Sequence, residues 1–258
     1  MSNERSELRL AVLIDADNAP RTALRSIMAE AAVYGVPTVK RIYGDWTTPN
    51  MSTWKPLLLE HAISPVQQYS YTTGKNSTDS AMIIDAMDLL YSGRLDGFVL
   101  VSSDSDFTRL ALRLREAGMK VYGMGERKTP EPFRAACDKF IYIEVIRADQ
   151  AAPAAGQPEK QAETVGEEVP PMAGPEDLSK LAELISASLE SIADEDGYVF
   201  MGELGNFLQK KYPDFDPRNY GFSKLTPLIK RMDRFEIDVR PTSAPGVKHI
   251  YLRDKGHK

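Results

Sequence analysis

Five consecutive apolar residues, Leu10, Ala11, Val12, Leu13 and Ile14, form the first clear pattern in the chain. A short unbroken run of this kind fits a strand buried on both faces, since a strand with one wet side would alternate. Similar runs recur at residues 39–43, 63–69, 98–101, 121–124 and 140–143, and stretches with helical spacing lie between them at 21–34, 53–61, 77–91, 106–117 and 131–137. In 106–117, Phe107, Leu110, Ala111 and Leu114 share one helical face, and Gly118 follows as a stop. Regular strand–helix alternation predicts an α/β domain, a parallel sheet sandwiched by helices.

The pattern breaks at residue 149. Residues 149–176 are rich in Ala, Pro, Gly and Glu, contain no aromatic residue and have no period that could bury a face. This composition reads as a flexible acidic linker. Beyond it the spacing changes. Leu181, Leu184, Ile185 and Leu189 place 178–192 on an amphipathic helix, and 201–212 and 222–232 read as two further short helices. Residues 237–240 and 249–252, around a turn at 243–246, read as a hairpin, and Phe215, Phe222, Leu225 and Ile229 fall at core spacing. The elements predict a winged helix-turn-helix. The chain therefore divides into residues 1–148, a linker 149–176 and a second domain 177–258.

Charge changes the picture only when it is counted by segment. The net charge is -5, yet residues 1–148 carry 18 basic and 18 acidic groups, 149–176 carry one and six, and 177–258 carry 13 of each. The deficit lies in the linker, so contact with nucleic acid must use local patches. The single cysteine, Cys137, lies in an apolar helical context and reads as packing. No apolar run reaches the roughly 18 residues of a membrane span, and the charged start has no secretory apolar core. These features point away from a membrane and toward a reducing, cytoplasmic setting.

The candidate chemistry is carboxylate chemistry. Asp15 and Asp17 directly follow the first buried run, Asp104 and Asp106 follow the fourth, and Asp79 opens the helix at 77–91. In a parallel sheet the strand carboxyl ends and the following helix starts share one edge, where ligands bind. A single Asp at such a place is ordinarily a helix cap. Doubled acids after two separate buried strands are not explained by capping. Crowded carboxylates repel, and a divalent cation removes the conflict; all-oxygen ligands favour Mg²⁺ or Mn²⁺. Asp85, about 240° around the helix from Asp79, reads as supporting. His61, His249 and His257 are the only histidines, which disfavours two-histidine RNA cleavage, and His61 reads as a helix C-terminal residue.

Four ordered pieces, Val12–Asn18, Tyr43-Gly44-Asp45, Lys75–Asp79 with Asp85, and Val101–Phe107, followed by Gly118–Val121, resemble a NYN domain of the LabA-like group within the PIN-like nuclease superfamily. The resemblance implies a PIN-like (Rossmann-like) sheet and a metal-dependent ribonuclease; an endoribonuclease is the favoured reading, and the sequence does not decide between endo- and exonucleolytic action. Asp15, Asp79, Asp104 and Asp106 fall on the family's catalytic and metal-binding positions. Asn18, Lys75 and Ser103 fall where phosphate or metal-bound water is positioned, although one extra residue separates Lys75 from Asp79 relative to the common Lys-Gly-x-Asp form. The run Asp216–Lys230, preceded by Gly202–Leu208, resembles a LOTUS (OST-HTH) domain. That resemblance implies RNA as partner, or a protein partner through this domain. The proposed RNA face carries Lys210, Lys211, Arg218, Tyr220, Lys224, Lys230 and Arg231.

Two other functions compete with a targeted ribonuclease. One is a catalytically weak RNA-binding adaptor. The other is a haloacid-dehalogenase-like phosphatase, suggested by Asp15-Ala16-Asp17. That family expects Thr or Val two residues after its second Asp, whereas Asn18-Ala19-Pro20 follows here.

Overall fold

The computed structural model describes residues 7–69, 77–151, 175–194, 196–241 and 248–256. Two compact units divide the chain, residues 1–162 and 163–258. No helix among the described residues is long and apolar enough to cross a membrane.

The first unit is built on six parallel strands: β1 (Arg9–Asp15), β2 (Val36–Gly44), β3 (Ser64–Gln67), β4 (Gly97–Val101), β5 (Lys120–Gly125) and β6 (Lys139–Tyr142). Their spatial order is β3-β2-β1-β4-β5-β6. The chain builds outward from β1 to β3, returns to the centre, and builds outward again from β4. Leu10 to Ile14 and Phe98 to Val101 are fully buried, as two-sided burial requires. Side-chain alternation shares these residues between two cores. Leu10, Val12 and Ile14 face α1 (Leu24–Tyr34), α2 (Lys55–His61) and α6 (Ile143–Ala151). Ala11 and Leu13 face α3 (Ser77–Tyr91), α4 (Thr108–Glu116) and α5 (Glu131–Ala136). Each buried Leu, Val or Ile contributes about 1.5–3 kcal/mol. Cys137 packs in the second core with its thiol pushed up to about 12 by burial.

The sheet and its flanking helices agree with the pattern in the sequence apart from shifts at element ends: β3 covers only Ser64–Gln67 of the expected 63–69, and β2 extends beyond the expected 39–43 to Val36–Gly44. The expected strand 140–143 ends at Tyr142, because Ile143 starts α6 and packs into the first core. Helix α6 runs to Ala151, into the expected linker. Helix α7 (Pro175–Ile192) starts inside its other end. The rest of that segment, residues 152–174, lies outside the described residues.

The second unit packs α7, α8 (Met201–Lys211) and α9 (Leu225–Lys230) against a three-stranded antiparallel sheet. Its strands are β7 (Val199–Phe200), β8 (Phe235–Pro241) and β9 (Lys248–Asp254), in the order β7-β9-β8. This is a winged helix. Strand β7 was not expected from the sequence, and the third helix is shorter than the expected 222–232. A 3-10 turn at Pro217–Tyr220 closes on Gly221 at φ 80°, and the backbone stays extended at Lys224. Phe215 and Ile229 are buried, with Phe222 and Leu225 packed at the edge of the same core. The expected turn at 243–246 lies outside the described residues.

Candidate metal centre

β1 and β4 are hydrogen-bonded neighbours, with Ile14 beside Val101. The chain direction splits between these two strands, so their carboxyl ends flank the crevice where α/β sheets bind ligands. Asp15 is the last residue of β1 and is fully buried. Its Oδ2 accepts from Asn18 Nδ2 at 2.7 Å and from Ser102 Oγ at 2.7 Å, and its Oδ1 accepts from the Asp17 amide at 3.0 Å. Burial raises its proton affinity, and these three donors oppose the rise.

Ser102 ties the two strand ends together. Its hydroxyl donates to Asp15 and accepts from the Asp104 amide at 3.1 Å. Asp104 Oδ1 in turn accepts from the Asp106 amide at 2.9 Å and caps the 3-10 turn Ser105–Phe107. The capping role of a single Asp is therefore real here. Capping occupies one oxygen and does not account for the convergence of the other acids. Asp79, buried in the first turn of α3, joins them: carboxylate oxygens of Asp79, Asp104 and Asp106 all lie within 4.8 Å of one another. Burial, then the charges of Asp15, Asp104, Asp106 and Asp17, push the Asp79 carboxyl up to about 6.

The other expected residues are placed differently from one another. Asp17 accepts from Thr78 Oγ1 at 3.0 Å and so fixes the start of α3 beside β1. Asn18 holds Asp15. Ser103 is buried and accepts from the Glu126 amide at 2.9 Å, which makes it a brace for the loop after β5. Lys75 lies outside the described residues. Asp85 accepts from Arg41 and from the Tyr43 hydroxyl, a supporting ion pair. His61 ends α2 at the opposite edge of the sheet, 3.8 Å from Glu60.

In the second unit Lys210, Lys211, Lys224, Lys230 and Arg231 are exposed. Arg218 is instead held by Asp216 through contacts of 3.1 and 2.9 Å, and Tyr220 is half-buried with its ring 6.4 Å from Phe215. These two residues brace their own turn.

Sequence reasoning missed Ser102. The doubled serine was visible, but which hydroxyl reaches Asp15 depends on how β4 pairs with β1. Removing the hydroxyl in Ser102→Ala orphans the Asp104 amide, at a cost of about 1–3 kcal/mol. It also removes one of the three donors that hold Asp15, and loss of such a supporting partner weakens a metal site about 10- to 100-fold. Isothermal titration with Mn²⁺ against wild type checks this; equal affinity would remove Ser102 from the site.

A parallel sheet with converging acids at its strand switch defines the PIN-like class of α/β nuclease folds. The chain belongs to the NYN domain family, whose model matches residues 9–144, and an OST-HTH/LOTUS domain matches residues 176–247. NYN domains are nuclease-like and LOTUS domains bind RNA, so the chain pairs a nuclease-type unit with an RNA-binding one. Solved structures similar to parts of it include a protein of unknown function from Vibrio parahaemolyticus, 20% identical over 55% of this chain and 96% of that chain, with TM-score 0.46. Another is an uncharacterized protein from Nitrosomonas europaea, 31% identical over 40% of this chain and 91% of that chain, with TM-score 0.26. No curated protein matches the chain.

Proposed function

We propose that the protein is a metal-dependent endoribonuclease in which the NYN domain cuts RNA and the LOTUS domain holds it. The observation that carries this reading is the meeting of Asp79, Asp104 and Asp106 beside buried Asp15, from three separate chain segments. The donor set fits a hard divalent cation: every ligand atom is a carboxylate oxygen, and burial together with the charges of Asp15, Asp104, Asp106 and Asp17 raises the proton affinity of Asp79. Asp15, Asp79, Asp104 and Asp106 would hold Mg²⁺ or Mn²⁺. Such an ion polarises a phosphate and lowers the pKa of a coordinated water.

The chain's own residues supply the geometry. Ser102 and Asn18 both donate to Oδ2 of Asp15, and the Asp17 amide donates to its Oδ1. Thr78 locks Asp17, and with it the loop that carries Asn18. In the LOTUS domain Lys210, Lys211, Lys224, Lys230 and Arg231 offer exposed cations to phosphate.

One assay tests the reading. The full chain is incubated with end-labelled RNA, matched DNA and a simple phosphate monoester, in Mn²⁺, Mg²⁺ or EDTA. The expected result is internal cleavage of RNA with metal and none with EDTA. Monoester turnover alone would favour the phosphatase, and RNA binding without cleavage would favour the adaptor.

A further inference from the structure

The outer face of the wing sheet carries a row of planar groups. Strand alternation turns Val199 and Leu252 into the core and turns Phe200, His249, Tyr251 and Arg253 outward. Phe200 pairs across the ladder with Tyr251, and Arg240 with His249. The His249 and Phe200 rings lie 4.9 Å apart and the Phe200 and Tyr251 rings 5.9 Å apart. The Arg240 guanidinium sits 4.2 Å from the Tyr251 ring centre and 4.9 Å from that of Tyr198, and the Arg253 guanidinium lies 4.7 Å from Tyr198. Six planar groups thus form one connected row: three rings, His249, Phe200 and Tyr251, followed by Arg240, Tyr198 and Arg253. His249 is exposed, and Phe200 keeps 37% of its surface in water.

We infer that this face stacks the bases of single-stranded RNA. The inference rests on the RNA-binding reading above and locates it on a different surface from the helix-turn-helix cations. Three facts favour a base over other occupants. Aromatic and guanidinium planes are the two surfaces on which unpaired bases stack. Asp238 accepts from Arg240 at 2.8 Å and Glu236 from Arg253 at 2.6 Å, which holds each guanidinium in place over its ring. Those pairs also cancel the local charge, so the face suits a neutral π surface better than a phosphate. The helix face has meanwhile lost Arg218 and Tyr220 to internal contacts.

The physics of stacking sets the test. Phosphate contacts release counterions and carry a salt slope; stacking does not. Labelled single-stranded RNA is titrated with the full chain in EDTA at several salt concentrations, using wild type, His249→Ala, Phe200→Leu, and Lys230→Ala with Arg231→Ala. Phe200→Leu keeps an apolar side chain at a partly buried position, and His249→Ala alters an exposed one. Both are expected to weaken binding at every salt concentration with the slope unchanged, by about 5- to 150-fold for a lost stacked base. The lysine–arginine variant is expected to lower the slope. Ultraviolet crosslinking is expected to map to the peptide containing His249 and Tyr251. Wild-type affinity in both wing variants, or crosslinks confined to α8 and α9, overturns the wing as the site and leaves RNA binding intact. An absence of RNA binding by wild type overturns the RNA reading itself.

Discussion

Asp104→Asn is expected to reduce metal-dependent RNA cleavage by at least about a hundredfold, the scale on which active-site electrostatics act. The variant should remain folded. Asn accepts a hydrogen bond from the Asp106 amide as Asp does and is an equally good cap. Removing one of the crowded charges relieves repulsion on Asp79, so the melting temperature without metal should hold or rise. Single-turnover cleavage of labelled RNA, with circular dichroism on the same preparation, checks both halves. Wild-type cleavage in this variant would remove the acids from the chemistry.

Asp79→Asn should reverse the relation between metal and stability. The Asp79 carboxyl titrates near 6, above its ordinary 3.8. Below both values it is protonated folded or unfolded, and the raised pKa costs nothing. As pH climbs from about 4 to about 6, the unfolded chain sheds the proton first. The folded state loses relative stability across that window, and the full cost persists at pH 8. After allowance for solvent screening, that cost is on the order of 1–2 kcal/mol. The metal-free variant should therefore melt above wild type at pH 8 and level with it near pH 4. Metal should act in the opposite sense. Mn²⁺ at about 100 times its Kd stabilises wild type by about 2.7 kcal/mol, a shift of roughly 5–10 °C for a domain of this size. That shift should shrink sharply in the variant. Differential scanning calorimetry at both pH values, with and without Mn²⁺, tests the claim; an equal Mn²⁺ shift in both proteins would refute it.

What the sequence revealed follows from which interactions are local. Residues 10–14 and 98–101 announce their burial because both faces of a central parallel strand must be apolar. The acids were legible because strand ends and helix starts share an edge whatever the strand order. Strand β7 was not legible: two residues, Val199 and Phe200, carry no period, and their pairing partners Leu252 and Tyr251 lie far along the chain. The roles of Ser102 and Ser103 depend on contacts with Asp15 and Glu126, which no local pattern encodes. Arg218 is a different case. Asp216, two residues earlier and just before a proline, is the local signature of a capped turn, and it marks this arginine as a brace.

The return of the chain to the centre of the sheet also bears on biosynthesis. Ser102 meets Asp15 across a separation of 87 residues, and β4 must insert beside a β1 made long before it. Contacts so distant form late, because the loop must close before the pairing rewards it. A nascent chain that has emerged only as far as β3 holds Asp15 but neither Asp79 nor Asp104. The complete set of acids can assemble only after β4 and the turn that follows it have left the ribosome, so the unfinished chain passes through much of its synthesis before its carboxylates can meet.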